Sequence, residues 1–85
     1  AYPNPFNGEI TFEFFIPEKS SIIFKIFDLN GRLVSEKLII PGLAGTYKVN
    51  WDGRDMNGRL KSSGIYFYKF ISNNIKKEGK ITYLK

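Results

Sequence analysis

Between Trp51 and Phe70 the chain reads WDGRDMNGRLKSSGIYFYKF, and no other stretch limits the possible folds as tightly. Asp52-Gly53 and Asn57-Gly58 each set a short side chain, able to bond its own backbone, beside a glycine free to take positive φ, which is the chemistry of tight turns. The chain therefore reverses here. After the reversal Tyr66, Tyr68 and Phe70 recur at every second residue, so their rings point to one face of a strand. A face of that kind has to be covered, and Trp51, which ends the preceding strand, is placed to cover it.

The same period-two pattern returns along the rest of the chain. In residues 9–16, Ile10, Phe12, Phe14 and Ile16 alternate with Thr11, Glu13 and Phe15, and Pro17 ends the run. Residues 21–28 carry apolar side chains on both faces, which predicts a central strand. Asn30-Gly31 between apolar runs is a strong hairpin signal and predicts that residues 33–40 return antiparallel. Pro41-Gly42-Leu43-Ala44-Gly45 breaks the chain before residues 46–51, where Tyr47, Val49 and Trp51 alternate with polar positions. Asn73-Asn74 marks the last turn, and residues 75–84 close the domain. At the start, Tyr2-Pro3-Asn4-Pro5 predicts an extended lead-in, with Phe6 tucked under the body and Asn7-Gly8 turning into the first strand.

No window shows a helical period, and about six or seven strands at spacings of roughly 8 to 12 residues predict an all-β fold, an immunoglobulin-like antiparallel sandwich. A small barrel is the alternative. The predicted core is Ile10, Phe12, Phe14, Phe24, Ile26, Val49, Trp51, Tyr66 and Tyr68. No internal repeats and no low-complexity segments are expected.

Eighty-five residues fill one domain, residues 1–85, and an aromatic content of 16% lets so small a core be filled without disulfides. Neither cysteine nor histidine occurs, which removes the commonest nucleophile and general-base pairs and thiolate metal sites. No enzyme activity and no cofactor are expected. The net charge of +5 is carried in part by Lys61, Lys69, Lys76, Lys77, Lys80 and Lys85, which alternate with strand residues as solvated faces and edge protection do. Without a reader motif, nucleic acid is not an expected partner, and no run approaches the roughly 18 apolar residues of a membrane span. The opening on Ala1-Tyr2-Pro3, with no charged-then-apolar signal, leads to the expectation of a fragment cut from something longer.

The motifs Tyr2-Pro3-Asn4-Pro5-Phe6-Asn7, Asp28-Leu29-Asn30-Gly31-Arg32-Leu33-Val34, Trp51-Asp52-Gly53-Arg54-Asp55 with Asn57-Gly58, Ser63-Gly64-Ile65-Tyr66-Phe67-Tyr68, and residues 80–85 come in order over nearly the whole chain. Together they resemble the C-terminal sorting domain of cargo secreted by the type IX system, which is similar to the immunoglobulin-like domain of flagellar hook-capping proteins. The resemblance implies a secretion, sorting and surface-anchoring module at the end of a larger exported protein. It also implies passage through the periplasm, a final place at the cell surface or in the medium, and outer-membrane secretion machinery as partner. Neighbouring domains or copies of the parent protein are further expected partners. Carried across by motif, the recognition residues would be Pro3, Asn4, Pro5, Gly31, Arg32, Val34, Gly64, Tyr66, Lys80 and Leu84.

Each has a plainer reading beside it. Gly31 and Gly64 serve backbone geometry in most chains, Tyr66 serves the core, and an arginine after a hairpin tip is ordinarily solvated, although its rigid fork also suits a partner's carboxylate or phosphate. Asp52, Asp55 and Asn57 offer oxygens for a calcium ion and equally for capping their own turns, and the glutamate of a standard calcium loop is missing until Glu78. Two further functions compete: a structural sandwich that spaces or assembles a surface protein or filament, and a carbohydrate-binding module that would need Trp51 and the tyrosines exposed.

Overall fold

A computed structural model describes residues 1–73 and 75–85, so the predicted Asn73-Asn74 turn is described only at Asn73, and Asn74 lies outside the described residues. Six strands form: β1 (Ile10–Ile16), β2 (Ser20–Phe27), β3 (Leu33–Gly42), β4 (Gly45–Trp51), β5 (Gly64–Ser72) and β6 (Ile75–Tyr83). They pair antiparallel into two sheets, β1-β4 and β3-β2-β5-β6. β2 sits inside its sheet, as its two apolar faces require. β3 extends into the predicted breaker, through Pro41 to Gly42, because Gly42 still pairs with Ser20.

The sheets enclose one core. Ile10, Phe12, Phe24, Ile26, Val49, Trp51 and Tyr66 are buried as predicted, while Phe14 and Tyr68 are half-buried against it. Their rings still pack: Phe14 stacks on Phe70 at 4.0 Å, and Tyr68 meets Phe12 at 4.9 Å. Tyr68 lies over Gly79, its cross-strand partner, where a Cβ would come within 2.8 Å of the ring.

The lead-in does more than carry Phe6. Tyr2 exchanges two backbone hydrogen bonds with Thr11, at the free edge of β1. Phe6 donates its N–H to Thr82 and accepts from Leu84, at the free edge of β6. Between those residues the chain crosses from one sheet to the other and ties their edges along one side of the sandwich. Edge exposure elsewhere on β6 is blunted by Lys76, Lys77 and Lys80.

Candidate recognition site

Strand register decides where the singled-out motifs fall. Ile10 pairs with Trp51, Phe27 with both Leu33 and Phe67, and Gly64 with Tyr83. Residues 2–8, the β2–β3 hairpin, the loop 52–63 and the residues after Tyr83 therefore share one pole of the sandwich. The opposite pole holds the short turns after Ile16, around Leu43 and at Asn73.

An aromatic cluster floors this pole. Trp51 meets Tyr66 edge-on at 5.1 Å, Phe6 stacks on Tyr83 at 5.0 Å, and Trp51 stands 5.7 Å from Phe6 and 5.9 Å from Tyr83. Two of the polar tips find loop carbonyls: Trp51 Nε1 donates to Arg54 at 2.8 Å and the Tyr66 hydroxyl to Ser62 at 2.7 Å. Gly53, at φ +80°, rests on the Tyr83 ring, where a Cβ would sit 2.6 Å from the nearest carbon. The loop is thus pinned to the core at three points, and the rings are spent on packing. A sugar platform at Trp51 is overturned by its burial, with 4% of its surface exposed.

The predicted recognition residues divide. Pro3, Pro5 and Asn4 are exposed, and Asn4 Oδ1 accepts the Thr82 N–H at 3.0 Å, so the lead-in motif is held to the last strand. Gly31, at φ +80°, makes the hairpin tip, with Arg32 exposed beside it. Leu84 is exposed, and its N–H is the one bonded to Phe6. Lys80 is exposed on β6 across from Phe67, below the pole. Gly64 opens β5. Val34 and Tyr66 are buried, so neither presents a side chain to a partner, and any influence on recognition runs through the fold. Val34 is turned inward by a bulge: pairing passes from Ile26–Ser35 to Phe27–Leu33 and leaves Val34 as the extra residue.

The acidic loop residues also have partners. Asp52 Oδ1 accepts the Arg54 N–H at 3.2 Å, and Asp55 Oδ1 accepts those of Asn57 and Arg59 at 2.9 and 3.0 Å. The Arg59 N–H above all, then the Asn57 N–H and the nearby Lys61 and Arg59 charges, hold the Asp55 carboxyl below the usual carboxylate range. The Arg54 guanidinium bonds the Gly58 carbonyl at 2.8 Å and approaches Asp52 at 3.6 Å. Among the described residues no three acidic side chains converge. This donor set fits loop closure, and calcium at residues 52–58 is a separate proposal: calorimetry showing heat at millimolar calcium supports it, and silence there ends it.

One signal was missed at the sequence level. Asp-x-Asn-Gly-Arg-Leu occurs twice, at residues 28–33 and 55–60, against the expectation of no internal repeats. It brings Arg59, Met56 and Leu60 to the same pole.

Two facing antiparallel sheets, an edge-crossing lead-in and loops gathered at one end define an immunoglobulin-like sandwich module. Residues 1–83 match the family described as secretion system C-terminal sorting domain, and the chain belongs to that family. No curated protein sequence is similar enough to count as a match. Among solved structures, dimeric latent PorU from Porphyromonas gingivalis is similar with a TM-score of 0.79 and 22% identity, over 98% of this chain and 9% of that one. FlgD from Xanthomonas campestris, described in connection with hook capping, is similar at 0.69 and 22%, over 93% of this chain and 58% of its own. FlgD from P. aeruginosa gives 0.68 and 20%, over 87% and 58%. The chain thus spans a small part of PorU and just over half of each FlgD chain. Family membership makes it a type IX sorting signal of an exported protein, in a non-catalytic family.

Proposed function

We propose that the domain is the C-terminal address of a larger exported protein, read at this pole by the outer-membrane machinery of the type IX system and serving afterwards to retain its cargo at the cell surface. The observation that carries the reading is the family match over residues 1–83. The gathering of the lead-in, the hairpin tip, the loop and the residues after Tyr83 on one end supports it, because a receptor meets them as one surface. The route runs through the periplasm, and the parent's own activity lies outside this domain.

The test is transfer. A fluorescent cargo with an ordinary secretory signal and this domain fused behind it is expected to reach the surface or medium of a host with the type IX system. A fusion that stays in the periplasm while the domain is folded overturns the reading. The alternative, a sandwich that spaces or assembles a surface protein or filament, draws on the likeness to FlgD and becomes the better account in that case.

A further inference from the structure

The six-residue repeat folds the same way twice. In the first copy Asp28 Oδ1 accepts the N–H groups of Asn30 and Arg32, both at 2.9 Å; the Asp28 carbonyl accepts from Gly31, and the Asp28 N–H donates to Arg32. In the second copy Asp55 makes the corresponding bonds with Asn57, Arg59, Gly58 and Arg59. Gly31 and Gly58 stand at φ +80° and +81°. All of these bonds use the Asp carboxylate and backbone atoms. The turn therefore demands Asp and Gly and places no demand on the second side chain or on the arginine side chain.

Those two positions face outward in both copies. Leu29 is 68% exposed and Met56 61%. Arg32 and Arg59 are exposed, and among the described residues neither lies within ion-pair distance of a carboxylate, although four other ion pairs form. The copies are neighbours: Asp28, Arg32 and Leu33 from one and Asp55, Met56 and Asn57 from the other line a single groove of about 180 Å3 with Lys61, while Leu29 and Arg59 stand outside it on their own turns.

We propose that these twin turns form one bipartite docking surface for a partner protein that presents carboxylates among apolar side chains. This deepens the sorting reading and rests on it. Each arginine offers a planar fork that fits a carboxylate through two hydrogen bonds, and each turn also carries one exposed apolar side chain, Leu29 or Met56, that gains only where a partner covers it. Arginine and methionine are enriched where proteins meet. A sugar-phosphate surface would satisfy the guanidinium groups but leave Leu29 and Met56 in water, so a protein is the occupant that uses all four side chains.

The fusion described above tests this with Arg32→Glu, Arg59→Glu, the double variant and, at the far pole, Lys19→Glu. Thermal melts accompany each. Arg59→Glu removes a charge that favours the Asp55 carboxylate and is expected to lower the melting temperature slightly. The altered side chains make no hydrogen bond, and all four variants are expected to fold. Either single reversal should slow export roughly tenfold and the pair on the order of a hundredfold, with Lys19→Glu unchanged. A photo-crosslinking residue at Leu29 or Met56 should capture the same outer-membrane protein at a segment containing Asp or Glu, and one at Leu43 should not. Full-rate export of the folded double variant overturns the docking surface and leaves the sorting reading standing. Crosslinks from Leu29 and Met56 to lipopolysaccharide overturn it equally. Retention of the unaltered fusion in the periplasm sinks both.

Discussion

Replacing Trp51 by alanine is expected to remove about 3 to 5 kcal/mol of folding free energy, read from a denaturant titration. The ring is buried among Phe6, Tyr66 and Tyr83, so the loss combines transfer of a large apolar surface with the cavity left behind. Its Nε1 also holds the Arg54 carbonyl, and alanine leaves that end of the loop 52–63 unpinned. Small domains hold about 5 to 15 kcal/mol in total, so the variant sits near or below the limit of stable folding. A loss under about 1 kcal/mol would mean that the ring does not pack as described, and the carbohydrate reading would return.

Deleting residues 80–85 is expected to do more: the truncated domain should show no cooperative melt and no sandwich signal in circular dichroism. The deletion takes away Ile81 and Tyr83, both in the core, and with Tyr83 the ring that Gly53 and Phe6 rest on. It also removes the acceptor of the Phe6 N–H, the donor to the Phe6 carbonyl and the N–H bonded by Asn4. Losing either large side chain alone costs about 2 to 5 kcal/mol. A truncated cargo held in the periplasm would consequently report on folding. Leu84→Asp and Lys80→Glu alter exposed side chains while leaving the backbone bonds in place, and they isolate recognition. A native-like melt from the truncated domain would show that the last strand is dispensable.

The strands were legible in the sequence because alternation is enforced by burial on one face, and Ile10, Phe12, Val49 and Trp51 fall where period two puts them. Val34 was not legible as core, since a bulge shifts the period by one residue between Leu33 and Ser35, and nothing in the local composition announces it. Tyr83 escaped notice for a different reason: its burial depends on Gly53, some thirty residues earlier in the chain. Turn chemistry at Asp52 and Asp55 followed from residue type, whereas Asp28, expected to end its strand, instead closes the hairpin turn. That the two Asp-x-Asn-Gly-Arg-Leu turns lie side by side followed only from the strand order, which places β2 beside β5 and so brings the hairpin next to the loop that leads into β5.

The lead-in that ties β1 to β6 has a mechanical meaning. Tension applied through the residues before Phe6 reaches the Tyr2–Thr11 pair first and then the bonds from Phe6 to Thr82 and Leu84, before any strand of either sheet is loaded. Those few bonds act as a latch whose release frees the edges of both sheets together and draws Phe6 out from between Trp51 and Tyr83. A tug from an attached cargo would therefore spring this catch before it strained the core.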